Sequence, residues 1–227
     1  MKPSKAYILT IDTPLSIGYA KVCSDSCDRV GLKWEYFKGF SNKSIVDAWG
    51  HSGVYVPMIN AMYGQYLQPN NVQCCTAGHA AIWKKIAEGN EAAIILEHDA
   101  VMLQPVNIDV PDDIIAVLGY KLKDISRYDH VKAGKPRQLL SIDGHEGAHA
   151  YVMTPKTAQR LIDEIGQRGI LGNVDNAYFI RGQRTTSVPL AIVDPTPAIG
   201  WLRESTLWSE SADRNYEFIP SFQQNYK

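Results

Sequence analysis

An apolar run that ends abruptly in two acids constrains the fold most. Residues 92–96 are apolar throughout, and Glu97, His98 and Asp99 follow directly. Such a run is typical of a strand covered on both faces of a parallel or mixed sheet. Because side chains alternate along an extended chain, Glu97 and Asp99 are expected on one face and His98 on the other. Ligands of open α/β sheets gather beyond the carboxyl ends of the strands, so this end predicts a divalent-cation site. Two solvated acids that open a loop are the alternative.

Strands and helices alternate along the chain. A strand, a helix that begins at Thr13-Pro14 and ends at Gly31, and a second strand form a predicted βαβ unit. A helix from Thr76 to Glu88 precedes the acidic strand. The alternation predicts a Rossmann-like α/β/α sandwich with a mixed, mostly parallel sheet. The other predicted elements are strands at Ala6–Ile11, Leu32–Phe37, Ile114–Leu118 and Ala148–Met153, a helix capped by Thr154-Pro155, and a short helix near Pro57–Tyr63.

Composition restricts the class of protein. A chain of 227 residues with 45% hydrophobic content can bury its own core, so we expect one domain over 1–227 with an aromatic tail, 200–227, packed on it. The net charge of −1 argues against a nucleic-acid partner held by a basic field. Since no apolar run is long enough for a signal peptide or a membrane span, the expected location is cytoplasmic. Cys23, Cys27, Cys74 and Cys75 match no disulfide framework or zinc ribbon and are expected as reduced thiols.

The chain resembles glycosyltransferase family 25 in four blocks that occur in the family's order. One is a helix with Cys75, His79 and Trp83 before a hydrophobic strand that ends in acids, where the family has Glu-Asp-Asp. The resemblance implies a GT-A-type fold and the metal-dependent, inverting transfer of a hexose from a nucleoside diphosphate sugar. It further implies UDP-galactose as donor, a glycan or lipooligosaccharide-like glycolipid as acceptor, and peripheral contact with a membrane through that acceptor. The other blocks are Tyr7–Asp12, Gly147–Ala158, and Val174-Asp175 with the later strand around Pro189.

The chain departs from the family pattern at four positions. His98 replaces the middle acid, Gly78 replaces a serine, Val72 replaces an acid before the cysteine, and Thr13 replaces an arginine. These departures leave open a non-catalytic relative that binds nucleotide sugars. A nucleotidyltransferase of similar fold is a third alternative, which the lack of a Gly-rich basic loop after the first strand disfavours.

The candidate site residues have distinct expected roles. Asp99, with Glu97 as second ligand or sugar contact, is predicted to hold Mn²⁺ or Mg²⁺. Asp175 and Glu146 are the candidates for the general base; the family block makes Asp175 either this base or a further metal contact, and helix-dipole stabilisation is its alternative.

Further residues are expected near the donor. His79 is predicted in the first turn of its helix, where backbone donors favour phosphate, with a core histidine as the alternative. The segment 121–137 carries six basic residues and two acids, which suggests a lid over the diphosphate or a solvated loop. The full set of predicted donor-binding residues is Thr10, Asp12, Thr76, His79, Glu97, His149 and Tyr151.

Overall fold

A seven-stranded mixed sheet forms the centre of the protein, with strand order β2-β1-β3-β8-β5-β9-β7. A computed structural model of the protein describes residues 1–41, 43–57, 70–121, 135–145, 147–169 and 173–200. A second, three-stranded sheet has the order β4-β10-β6. The strands are β1 (Pro3–Thr10), β2 (Trp34–Lys38), β3 (Ala92–Glu97), β4 (Ala100–Met102), β5 (Ile115–Val117), β6 (Gly119–Lys121), β7 (Gln138–Ile142), β8 (Ala150–Met153), β9 (Leu190–Asp194) and β10 (Ala198–Gly200). The helices are α1 (Pro14–Arg29), α2 (Ile45–Ser52), α3 (Asn70–Ala87), α4 (Pro155–Arg168) and a π-helical turn at Asp175–Phe179.

The predicted βαβ unit is confirmed. Strands β1 and β2 are parallel, and α1 connects them. The Thr13 side chain accepts a hydrogen bond from the Ser16 amide at 3.2 Å and so caps the first turn of α1. Gly31 follows the helix with a φ of +69°, a left-handed conformation that favours glycine. Local sequence signals therefore determine both ends of this helix.

The central sheet is α/β and mixed, as predicted, but parallel pairs do not dominate. Among the described strands, β1–β2, β1–β3 and β5–β9 are parallel, whereas β3–β8, β5–β8 and β7–β9 are antiparallel. Strand β8 lies between β3 and β5 and runs against both. Its first residues, beginning at Ala150, therefore lie beside the end of β3, where Glu97 stands.

The helix before the acidic strand starts earlier than predicted. It begins at Asn70 rather than Thr76, because Val72 continues the buried face that Thr76, His79 and Trp83 form at intervals of three and four residues. Those four side chains are all fully buried. The prediction of His79 in a first helical turn is thus wrong; the residue lies in the middle of α3.

Helices cover both faces of the sheet. The alternating side chains of β3 separate two cores: Ala93 and Ile95 face the first, and Ile94 and Leu96 face the second. Helices α2, α3 and α4 contribute to the first core, whereas α1, β4 and β10 contribute to the second. Strand β3 is consequently buried on both faces up to its last residue, which confirms the α/β/α sandwich.

The remaining expectations of the sequence have mixed outcomes. The four cysteines are free, with Cys23, Cys27 and Cys74 buried and Cys75 partly buried. In the described part of the chain, no helix is long and apolar enough to cross a bilayer. Four expectations fall outside the described residues: most of the helix near Pro57–Tyr63, the core of the 121–137 lid, Glu146, and the tail after Gly200.

Candidate active site

Three carboxylates converge beyond the end of β3. Glu97 is the last residue of the strand, and Asp99 lies in the turn before β4. The expected extended alternation therefore ends at Glu97, and the turn, not a strand, orients Asp99. The charges of Glu97 and Asp99 both raise the pKa of Asp175 and of the Cys75 thiol, so both acids lie in the region of these two groups. Asp175 is the third acid of this region, and a common site for the three acids stays a prediction.

His98 lies on the opposite side of this cluster. Its ring stacks on Tyr19 of α1, with the ring centroids 6.1 Å apart and the planes 26° from parallel. Burial lowers the pKa of the imidazole, so His98 is neutral at physiological pH. The stacking on Tyr19 agrees with the packing interpretation of His98. Its Nε2 is buried and has no hydrogen-bond partner among the described residues, so a role as additional metal ligand stays a prediction.

Asp175 is a buried acid with an incomplete set of partners. It begins the π-helical turn, and the backbone N–H of Ala148 partly offsets the rise of its pKa. Burial, followed by the charge of Glu97, raises the pKa of Asp175 to about 6, and Asp99 adds to this effect. Two carboxylates in low dielectric therefore oppose the ionisation of a third.

Two carboxylate oxygens of the cluster lack a partner. Oδ1 of Asp99 and Oδ1 of Asp175 are buried, and no group of the described residues donates a hydrogen bond to either. An unpaired buried acceptor is costly, and each such atom in a native fold calls for an explanation. A hard divalent cation takes carboxylate oxygens as ligands and offsets their mutual repulsion. The donor set of Glu97, Asp99 and Asp175 therefore fits Mn²⁺ or Mg²⁺.

A buried hydrogen-bond chain leads from the core to Glu97. Trp83 Nε1–H donates to the Tyr151 hydroxyl at 2.8 Å, and this hydroxyl is 2.8 Å from His79 Nδ1. His79 Nε2 is 3.1 Å from Glu97 Oε1. An ionised carboxylate only accepts, so Nε2 carries the proton and donates to Glu97. Nδ1 of the neutral ring then accepts the Tyr151 O–H. Every donor in the chain points toward the acid.

Burial determines the charge of the histidine in this chain. The side chain of His79 is 0% exposed, and desolvation lowers its pKa to about 4. A neutral imidazole orients Glu97 through a hydrogen bond and adds no positive charge beside it. The core-histidine alternative for His79 agrees with these contacts, and a direct donor contact stays a prediction.

We expect Tyr151→Phe to lower the free energy of unfolding by about 1–3 kcal/mol, because it leaves the buried Trp83 Nε1–H without an acceptor. Urea unfolding followed by tryptophan fluorescence measures the change. Tyr36→Phe is the matched control: its hydroxyl lies near Ser24 on a residue that is 46% exposed, so a loss of no more than about 0.5 kcal/mol is expected. Equal losses of unfolding free energy for the two variants would contradict the buried hydrogen bond from Trp83 to Tyr151.

Two other predicted donor-binding residues lie at the end of β1 or just after it. Thr10 ends β1 at the same sheet edge, one residue beyond the Leu9–Glu97 register, and its hydroxyl is 3.0 Å from that of Ser16. Asp12 is exposed and pairs with Lys38. Their donor contacts stay predictions.

Two further predicted residues are buried. The Thr76 hydroxyl donates to the carbonyl of Val72 within α3, at 3.1 Å. His149 is 4% exposed, and its carbonyl accepts the Glu97 amide at 2.9 Å. His149 thus supports the strand end through its backbone, and ligand contacts of both side chains stay predictions.

Sequence reasoning assigned no chemistry to Cys75 or to the indole of Trp83. Ligand atoms of Cys75, His79 and Glu97 all lie within 4.8 Å of one another. The available signal was the spacing of Cys75 and His79, since residues four apart share a helix face. The third member of the group, Glu97 at the end of β3, could not be inferred from that spacing.

Family membership follows from the sequence between residues 22 and 177. This region, more than half of the chain, matches the model of glycosyltransferase family 25, which is described as an LPS biosynthesis protein family. The chain belongs to glycosyltransferase family 25. It is accordingly a glycosyltransferase, and the matched region contains all three clustered acids. A search of curated proteins finds no significant match.

Solved glycosyltransferase structures resemble the family 25 chain at low sequence identity. An active-site mutant of LgtC is 10% identical, with a TM-score of 0.47 over 96% of this chain and 94% of that one. The galactosyltransferase LgtC with donor and acceptor sugar analogues is 13% identical, with a TM-score of 0.42 over 92% and 93%. GlyE of Streptococcus pneumoniae TIGR4 is 9% identical, with a TM-score of 0.41 over 92% of this chain and 57% of that one.

Proposed function

We propose that the chain moves a hexose from a nucleoside diphosphate sugar to a glycan or glycolipid acceptor, with inversion and with a Mn²⁺ or Mg²⁺ ion in its cluster of acids. The observation that carries this proposal is a pair of buried carboxylate oxygens, Oδ1 of Asp99 and Oδ1 of Asp175, that have no hydrogen-bond donor among the described residues, in a region whose charges also include Glu97. Such a set stabilises a cation, and a cation in turn binds diphosphate. UDP-galactose and a lipooligosaccharide-like acceptor are the specific choices, supported by the family's description and by the sugar that LgtC transfers.

Each acid has a proposed part in the reaction. A bound divalent cation would supply the positive charge that stabilises the departing nucleoside diphosphate. Asp99 would hold the ion, and Glu97, oriented by His79, would be the second ligand. Asp175, with a pKa of about 6, is ionised at neutral pH and still basic enough to accept the proton of an acceptor hydroxyl.

The identity of the general base has two candidates. Asp175 is preferred because burial and neighbouring charges raise its pKa toward the working range. Glu146, outside the described residues, is the second candidate. If Asp175 instead completes the metal site, Glu146 becomes the base. Asp175→Asn is then expected to weaken Mn²⁺ binding and to leave the pH dependence of turnover unchanged.

The donor is proposed to lie along the edge formed by the ends of β1 and β3. Thr10 and Asp12 at the end of β1 are proposed for the base and ribose. The diphosphate would lie over the acids, and the sugar near the start of β8, where His149 and Tyr151 stand. The corresponding proposed location is the cytoplasm, where the protein would contact a membrane through its acceptor.

Release of free UDP from a panel of UDP-sugars, with Mn²⁺ or with chelator, tests the proposal. We expect UDP-galactose to give the fastest Mn²⁺-dependent release, stimulated by a glycan acceptor, and NMR of the product to show the inverted anomer. Thermal stabilisation by UDP-sugar and Mn²⁺ without any release would instead identify the non-catalytic binder. Turnover that persists in chelator would overturn the role of the cation.

A further inference from the structure

The second cluster at the end of β3 combines three different ligand types. Cys75 and His79 lie one turn apart on α3, and Glu97 ends the neighbouring strand. Their Sγ, imidazole nitrogen and carboxylate oxygen are mutually within 4.8 Å. Hard cations such as Mn²⁺ prefer oxygen, whereas thiolate and imidazole favour Zn²⁺ and related ions. The donor atoms therefore differ in kind from those of the three-carboxylate cluster.

We propose that Cys75, His79 and Glu97 bind a thiophilic divalent cation of the Zn²⁺ class, at a site that shares Glu97 with the hard-cation cluster. The separation of His79 Nε2 and Glu97 Oε1 is 3.1 Å. Two ligands that are each about 2.0–2.1 Å from one tetrahedral ion stand about 3.3 Å apart. These two atoms are hence already spaced for a common ion, and the Cys75 thiol completes the set by an approach of at most about 1.2 Å.

The hydroxyl of Tyr151 can form a hydrogen bond with either tautomer of neutral His79. Without an ion, this hydroxyl donates to Nδ1 and Nε2–H donates to Glu97. With an ion on Nε2, the ring proton resides on Nδ1 and is donated to the Tyr151 oxygen, which has lone pairs for both Trp83 and His79. Histidine ligands of metals commonly donate their second N–H in this way. The tautomer change transfers no proton to solvent.

Binding of the ion releases one proton. The Cys75 S–H bond breaks, the thiolate forms a bond to the cation, and the proton leaves to buffer. Water would complete the four ligands. Since Glu97 cannot serve both ions fully, occupancy by Zn²⁺ weakens binding of Mn²⁺ and inhibits Mn²⁺-dependent transfer.

Cobalt titration of the full chain tests the site. Chelator-treated protein, kept reduced with a phosphine, is titrated with Co²⁺ and its absorption spectrum recorded. We expect a thiolate-to-Co²⁺ charge-transfer band that saturates at one equivalent and disappears when Zn²⁺ is added. Cys75→Ala is expected to abolish the band. Cys74→Ala is the matched control and keeps it, because the Cys74 thiol donates to the Lys43 carbonyl and faces away from the cluster.

The results separate the proposal from its rivals. A spectrum without a thiolate band, or a band that survives in Cys75→Ala, overturns the site; the latter outcome would implicate another thiol. We also expect the Zn²⁺ concentration that halves turnover, relative to each variant's own zinc-free rate, to rise about tenfold or more in Cys75→Ala. The cobalt spectrum requires no sugar nucleotide, so failure of the proposed transfer reaction would leave this test intact.

Discussion

Replacement of Asp99 by asparagine is expected to lower Mn²⁺-dependent sugar transfer by about a thousandfold, or about 4 kcal/mol of transition-state stabilisation. The amide keeps the shape of the side chain but removes the charge that holds the cation. The buried, unpartnered Oδ1 of Asp99 is the atom whose electrostatic role disappears. Turnover at saturating UDP-sugar, measured over a range of Mn²⁺ concentrations, gives the loss, and Mn²⁺ binding by calorimetry gives a second readout.

Asp113→Asn is the matched control for this change. Asp113 precedes β5, which runs in the same direction as β3, so it lies at the opposite edge of the sheet. Its φ of +69° is a conformation that asparagine adopts readily. We expect turnover within about twofold of the unmodified protein for this variant. Wild-type turnover in Asp99→Asn would remove the cation from the proposed mechanism.

Replacement of Asp175 by asparagine is expected to abolish transfer and, in the metal-free protein, to raise stability above pH 6. Burial and the charge of Glu97 raise the pKa of Asp175 from 3.8 to about 6. The folded state therefore holds this proton more tightly than the unfolded state, and stability falls as pH rises between these values. Above pH 6 the ionised form costs about 3 kcal/mol, which a neutral amide avoids.

The pH dependence provides the check. Urea unfolding in chelator should show Asp175→Asn more stable by about 3 kcal/mol at pH 8, with an advantage roughly half as large near pH 5. A variant that is less stable at pH 8, or an advantage that does not change with pH, would contradict the assigned burial of this charge. Opposite changes in activity and stability are typical of groups retained for function.

Features encoded within a few residues were predictable from the sequence. The caps at Thr13 and Thr154, the strand that ends at Glu97 and the closure of α1 at Gly31 all follow from local chemistry. The early part of α3 was missed, because its first turns lack local helix signals and only the buried face with Val72 extends the pattern. The direction of β8 could not be predicted either, because the sequence of a strand does not indicate which strand it pairs with.

The candidate site was predicted in composition more than in geometry. Glu97, Asp99 and Asp175 were identified as acids of one site, and in the structure the charges of Glu97 and Asp99 both act on Asp175. The turn at Asp99 was not expected, because the alternation was extended two residues beyond the end of the strand at Glu97. The chain through Tyr151 and His79 joins residues 72 apart in sequence, and the last link to Glu97 spans 18. Contacts of that range depend on the register of β3 against β8.

The coverage of β3 on both faces has a consequence for the order of events in a catalytic cycle. The strand is buried through Leu96, and the Glu97 side chain is 24% exposed. We expect ions to arrive from the strand end, the direction that a diphosphate must also use. A nucleotide seated there would cover the ion beneath it. Loading is thus expected to be sequential, cation before sugar nucleotide, and the spent nucleotide departs before the ion can exchange.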